Sequence, residues 1–382
     1  MEVLEHYIYN PLSRFTSGKF WKLKLTTLLI TLSIFFASGP FFFLKQAFEL
    51  DNWKSFNFKK ENILKQPPFN PISHAAKKTF RITVPLIAKV AHLNNWATVV
   101  FEWLLNVLFI YMCIELFLAI SADKIVATLG TVGITFIYAG RAGLVDISTW
   151  FDGVAYYFLL LSLFCTNRIY IFALLLLAYF TDERAYFSSI IVFFFHLYKN
   201  DNQASLFDFK KNVTPLLIFS SAVLGILIRL FLQYNYGLQT QTGGTYLKQI
   251  LDHSDFWGMS FWTMLEGFWA LIFLLLLILI HHKNYFQILV LVGIVALFFL
   301  GSTLVFDKTR TGGYMFPIIF LALVLIQKHL QLAQLRNLFF ICAVISFLFP
   351  AYYIIADTAP YTHWYKPLFI RAVDFYNAKF VH

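Results

Sequence analysis

Charge is what this chain has least of. Asp, Glu, Lys and Arg make up 13% of the residues, against about 25% in an ordinary soluble domain. Acids are scarcer than bases, 20 against 30, so few carboxylates are on hand for chemistry. Cysteine is rarer still: Cys113, Cys165 and Cys342 all lie inside apolar runs with no metal-ligand spacing among them. A disulfide framework and a thiolate metal site are both excluded, and the three thiols read as small buried hydrophobes. No polar stretch is long enough to form a separate soluble domain. No Walker, Rossmann, zinc or serine-triad signature occurs, and Gly243-Gly244 and Gly312-Gly313 lack the spacing of a phosphate cradle. Neither a metal nor another cofactor is expected.

Apolar sequence fills the space that charge leaves. The chain is 59% hydrophobic with mean hydropathy +0.68. Runs of roughly 18 or more apolar residues, each able to cross about 30 Å of hydrocarbon, recur from end to end. The expectation is one all-α polytopic membrane domain over 1–382. It has about eleven transmembrane helices, near 25–44, 96–120, 125–140, 151–165, 169–180, 185–198, 213–234, 261–280, 285–306, 314–327 and 337–356. Residues 1–24 carry Arg14, Lys19, Lys22 and Lys24 and form a cytoplasmic N-terminus. The following apolar run continues through bulky Phe to Leu44, so it is an uncleaved first span. Extracytoplasmic segments then fall at 45–95, at 235–260 and in the tail 357–382.

The net charge of +10 follows from Lys and Arg gathering in cytoplasmic loops and does not require nucleic acid. Lys124, Arg168, Lys199, Lys210, Lys211, Lys283, Lys328 and Arg336 fit that pattern. The large first loop breaks it, with Lys45, Lys54, Lys59, Lys60, Lys65, Lys77 and Lys78. A basic loop on the outside suits a lipid phosphate or an anionic surface. Its apolar piece, 82–93, is too short to span and reads as an interfacial or re-entrant helix. Two short spans meet at Thr181-Asp182-Glu183-Arg184. Charged turns at membrane depth are tolerated in a protein-lined, water-filled hollow.

Under this topology the charged pairs near span ends converge on the side of the first loop. Asp51, with Glu49 beside it, is the candidate general base, able to take a proton from an attacking hydroxyl; the plainer alternative is a solvated loop acid. Arg81 can hold a phosphate through two parallel hydrogen bonds, with His74, Lys78, Arg141 and Arg310 as further phosphate candidates. Their plainer role is to anchor helix ends or pair with neighbouring acids. Asp146, Asp152, Glu183, Arg184 and Asp307 form a secondary or acceptor group, and Asp146 and Asp152 also stand as alternative bases. Trp53, Trp96, Trp150 and Trp257 map to the same side, either as an interface belt or as sugar-stacking faces.

A first span, a large outer loop opening with Glu49 and Asp51, and a re-entry at Arg81…Pro85 is similar to the GT-C superfamily of integral-membrane glycosyltransferases. Thr181-Asp182-Glu183-Arg184 resembles that fold's central hairpin turn, and Asp307-Lys308-Thr309-Arg310 before Phe316-Pro317 resembles a later outer turn of bacterial members. The likeness covers most of the chain as architecture, on short motifs. It implies inverting transfer of a sugar from a polyprenyl-phosphate donor to a glycan or glycolipid acceptor outside the cytoplasm, with Asp51 as catalytic acid and Arg81 at the donor phosphate. Here the acids are spaced Glu-Leu-Asp rather than adjacent, which leaves the identity of the base open.

Two other functions compete. A polysaccharide polymerase or ligase also uses outer-loop Arg residues, although such proteins carry their main loop late. A transporter or flippase for lipid-linked sugars would show internal repeats and helices interrupted at the midplane. The composition fits a bacterial inner membrane, with the active site facing outward and membrane lipids as neighbours. The oligomeric state stays open.

Overall fold

A computed structural model gives the arrangement of residues 2–36, 48–49, 51–66, 78–145, 149–200, 213–239, 254–305, 307–349, 354 and 376–377. Among these residues there are helices and connecting turns and no strand. Asn95–Ser121, Val213–Tyr236, Ser254–His281, Tyr285–Thr303 and Lys308–Ile326 are long and apolar enough to cross a membrane. A sixth crossing arises if Lys124–Phe136 and Tyr138–Leu144, which meet at a 62° bend, are one span. The remaining apolar helices Asp152–Phe164, Arg168–Tyr179, Ala185–Lys199 and Leu332–Leu348 are shorter. The described part of the first expected span is Trp21–Phe36.

The chain divides into two compact units, one of residues 1–38, 107–141 and 253–382, the other of 39–106 and 142–252. In the first unit, Lys124–Phe136 packs along Leu332–Leu348. Asp123 fixes both helix starts: its Oδ1 accepts from the Val126 N–H at 2.8 Å, and its carboxylate pairs with Arg336 at 2.6 Å. An acid at that position satisfies an orphan N–H and complements the helix dipole. Lipid tails are as apolar as side chains, so close packing rather than water exclusion holds such helices together. At Gly130 a Cβ would lie 2.8 Å from the Phe117 ring, and at Gly133 2.8 Å from the Phe268 ring. Phe117 then stacks obliquely on Phe320 with ring centres 4.7 Å apart. Ile318–Ile326 is apolar and buried on every side, as a helix at the centre of a bundle must be.

In the second unit, Asp152–Phe164 lies against Arg168–Tyr179, and Val213–Tyr236 packs on both Arg168–Tyr179 and Ala185–Asn200. Asn167 starts its helix by accepting the Ile169 N–H at 2.9 Å. The stretch expected as a loop at 45–95 is partly helical: Asp51–Glu61 packs on Thr83–Val90. The second of these is the short apolar piece expected near 82–93. Lys60 donates to the Leu93 carbonyl at 3.3 Å and Lys89 to that of Glu61 at 2.9 Å. These lysines of the basic loop therefore close helix ends within the protein.

A second departure lies at 307–313. The expected outer turn is instead the helix Lys308–Gly313, buried throughout and continuous with the span that follows. Gly312 sits there for closeness rather than for a turn, since a Cβ would come within 2.6 Å of Met264 Cγ. Gly243-Gly244 and most of the tail lie outside the described residues.

Candidate functional site

The second unit gathers five charged side chains at the turn between Arg168–Tyr179 and Ala185–Asn200. Thr181 ends the first helix by donating its hydroxyl to the Leu177 carbonyl at 2.7 Å, and the Arg184 N–H returns to Asp182 Oδ1 at 2.9 Å. The turn is pinned from outside by Thr83, whose N–H donates to Phe180 O at 3.0 Å and whose hydroxyl donates to Leu177 O at 2.9 Å. Thr83 thereby brings Arg81 alongside. Arg81 Nη2 lies 2.8 Å from Asp182 Oδ2, and its Nε and Nη2 grip the two Glu183 oxygens at 3.3 and 3.1 Å. Arg184 continues the chain of charge, with Nη1 3.8 Å from both Asp182 Oδ2 and Asp152 Oδ1.

The two adjacent acids respond differently. Burial pushes the Glu183 carboxyl up, but the two-point contact with Arg81 and the nearby Arg184 and Arg229 outweigh it and hold Glu183 at about 2. For Asp182, burial prevails over Arg81 and Arg184, with Glu183 and Asp152 adding repulsion, so its carboxyl is raised. Asp182 is therefore the acid of this pair that lies nearer to exchanging a proton.

Beside this network is a small recess, of about 20 Å³, lined by Ser55, Phe56, Lys59, Lys78, Arg81, Pro85, Thr149 and Phe151. Lys78 Nζ donates to Thr149 Oγ1 at 3.0 Å and to Asn52 Oδ1 at 3.3 Å, tying the 149–151 turn to the start of Asp51–Glu61. That turn is strained: Thr149 has φ 59° and Phe151 φ 58°, left-handed conformations that cost on the order of 1–3 kcal/mol each outside glycine. Lys59 is only 3% exposed, and its ammonium donates to the Lys65 carbonyl at 3.5 Å. Burial lowers its pKa to about 8. A buried cation held by a carbonyl, at the wall of a recess, is the setting for an anion.

Of the residues singled out from sequence, the fold brings together Arg81, Glu183, Arg184 and Asp152, with Lys78 on the adjoining recess. Asp51 and Glu49 stay outside this group. Asp51 opens its helix with an 85% exposed carboxylate 3.2 Å from Lys54, and Glu49 is exposed. Trp53, read from sequence as an interface-belt residue or a sugar-stacking face, is 1% exposed and meets Phe48 and Phe56 edge-on. His74 and Asp146 fall outside the described residues. Arg141, Asp307 and Arg310 belong to the first unit, where Arg310 pairs with Asp307 one helical turn away at 3.0 Å. Sequence reasoning passed over Lys59 and Asp182. One was counted among loop lysines, and the other was hidden inside the charged tetrapeptide. Nothing in a linear pattern distinguishes a buried lysine from a solvated one. Among the described residues no group of His, Cys, Asp and Glu is arranged to hold a metal.

No family profile, no curated protein and no solved structure matches the chain.

Proposed function

We propose that this chain is an inverting membrane glycosyltransferase that moves a sugar from a polyprenyl-phosphate donor to a glycan or glycolipid acceptor on the extracytoplasmic side. The observation that carries the proposal is the recess walled by Lys59, Lys78 and Arg81 next to the buried acids Asp152 and Asp182. Phosphate oxygens need several directed cationic donors, and an attacking hydroxyl needs a carboxylate in a partly dry setting. Both requirements meet in one unit.

In the proposed reaction the phosphate rests against Lys59 and Lys78, while Arg81 is held in place by Asp182 and Glu183. The acceptor hydroxyl attacks the anomeric carbon from the face opposite the phosphate and passes its proton to a carboxylate. The bond between that carbon and the phosphate oxygen breaks, and the departing polyprenyl phosphate carries the electron pair onto oxygens facing the lysines. Asp152, 1% exposed, suits the base better than the solvated Asp51. The finer topology of about eleven spans, the outward orientation and a bacterial inner-membrane location belong to the same proposal.

The deciding experiment measures donor binding and sugar transfer in nanodiscs with polyprenyl-phosphate sugars. Asp152→Asn is expected to abolish turnover with binding retained, Lys59→Met to weaken binding, and Asp51→Asn to do neither. Absence of donor binding by the wild type refutes the proposal.

A flippase for lipid-linked sugars is the second reading. It is favoured by two helix interruptions, the 62° bend after Phe136 and the break at Glu266–Phe268, since transporters bind at such breaks. Donor lipid crossing protein-containing vesicles without sugar transfer would establish it in place of the transferase.

A further inference from the structure

In the first unit the apolar run 254–281 is interrupted in the middle. Trp257–Leu265 ends, Glu266–Phe268 forms a single tight turn, and Trp269–His281 resumes. Glu266 itself adopts φ 48° and ψ −119°, a conformation that side-chain-bearing residues avoid. The turn is locked from its other side. Gly267 donates its N–H to Ser346 Oγ at 3.1 Å, and a Cβ there would collide with the Cys342 carbonyl. The break therefore has a fixed shape.

What that shape holds is a carboxyl. Glu266 is 0% exposed, and neither side-chain oxygen has a hydrogen-bond partner among the described residues. Asp123, Glu115 and Asp307, buried or half-buried acids of the same unit, each have a cation within 3.0 Å. Around the turn, Leu332–Leu348 brings Cys342 and, near its start, Arg336, which is engaged by Asp123. Trp269–His281 brings His281 only at its far end, and Trp257–Leu265 brings no titratable group. The charged group that acts on Glu266 is Arg141, through space. An acid placed at membrane depth on a strained turn, without donors, has no evident structural purpose.

We infer that Glu266 is a proton-exchange site inside the first unit. The fixed turn at 266–268 holds its carboxyl among apolar side chains, with Arg141 as its distant counter-charge. The step is the uptake of one proton from water by the carboxylate to give the neutral acid, and its release in reverse. No other bond changes. A neutral acid needs no counter-ion in such surroundings, whereas the carboxylate draws on Arg141. The site thus couples the charge state of this unit to the pH on whichever side water reaches it. It depends on neither reading of the second unit.

The test uses the full chain in lipid nanodiscs. Dicyclohexylcarbodiimide, which enters apolar regions and attacks protonated carboxyls, is compared with a water-soluble carbodiimide, and adducts are mapped by mass spectrometry. The expected result is an adduct on Glu266 from the apolar reagent alone, with a yield that falls as pH rises. Infrared difference spectra across a pH step should show a protonated-carboxyl band that Glu266→Gln loses and Glu115→Gln keeps. No adduct on Glu266 at any pH, or equal labelling at every pH, overturns the inference. The labelling is read on wild-type protein, so it decides the matter even if Glu266→Gln fails to fold.

Discussion

In the unit of residues 39–106 and 142–252, buried and half-buried charges stand shoulder to shoulder: Arg81, Asp182, Glu183, Arg184 and Asp152 form one continuous chain of ion pairs. In the unit of residues 1–38, 107–141 and 253–382, ion pairs such as Lys22–Glu115 and Arg336–Asp123 each join two elements, and Glu266 has no close partner of this kind among the described residues. A connected network fixes its members' charges and orientations. An isolated buried acid leaves its charge adjustable. The first arrangement suits a site that must hold a substrate still, the second a site that must change state.

Breaking the network should give the largest effect. Arg81→Ala strands Asp182 without its 2.8 Å partner and releases Glu183. Loss of one member of a buried pair typically costs about 3–5 kcal/mol. Thermal unfolding in detergent should show the loss, and Arg336→Ala, whose pair is 24% and 10% exposed, should cost clearly less. Equal losses would mean that the network is no more connected than the lone pair. Acid sharpens the same contrast. The carboxyl of Glu183 is held at about 2, below its ordinary 4.5. Its stabilising share is thus complete above pH about 4.5 and disappears as pH falls towards 2. Arg81→Ala should flatten that part of the pH–stability curve.

Lys59 provides the next effect, with the opposite sign. Its pKa is lowered from 10.5 to about 8, so the folded state disfavours the ammonium. That penalty, of order 3 kcal/mol, applies in full below pH about 8 and fades as pH rises to 10.5. Lys59→Met should therefore stabilise the empty protein near neutral pH in a melting experiment while weakening phosphate binding. In wild type, binding of a phosphate probe should itself decline above pH about 8. A variant both less stable and unchanged in binding would show that Lys59 belongs to the helix and not to the recess.

Gly267→Ala tests the first unit. A methyl group there meets the backbone of Leu332–Leu348, including the Ser346 N at 2.8 Å. Overpacking against backbone costs about 1–3 kcal/mol, and melting temperature should fall accordingly without loss of phosphate binding in the second unit.

How far the sequence carried depended on which physics it records. Hydrophobic run length marked helices such as Asn95–Ser121, Val213–Tyr236 and Tyr285–Thr303 closely, because crossing a bilayer sets a minimum length. The tetrapeptide 181–184 stood out because four polar residues between two apolar runs demand an explanation. Lys308–Gly313 misled because charges and paired glycines look like a turn in one dimension, although packing on Met264 makes them a buried helix. Asp51 marks the same limit from another side. Its nearness to the first span in sequence said nothing about its 85% exposure. Burial of an individual charged side chain depends on which distant elements close over it, and composition does not record that.

The smallest effect is expected at Asp51, and it bears most directly on which carboxylate matters. Its pairing with Lys54 is an exposed contact one helical turn apart, of a kind worth roughly 0–1 kcal/mol. Asp51→Asn keeps a side chain able to cap the first turn of Asp51–Glu61, so folding should hardly change. If transfer also survives, then catalysis rests with Asp152 or Asp182 inside the network. If Asp51→Asn instead abolishes transfer in a protein that folds and binds donor normally, the solvated acid is the base. The buried network would then serve to hold the recess in shape, and the contrast between the two units would concern architecture alone.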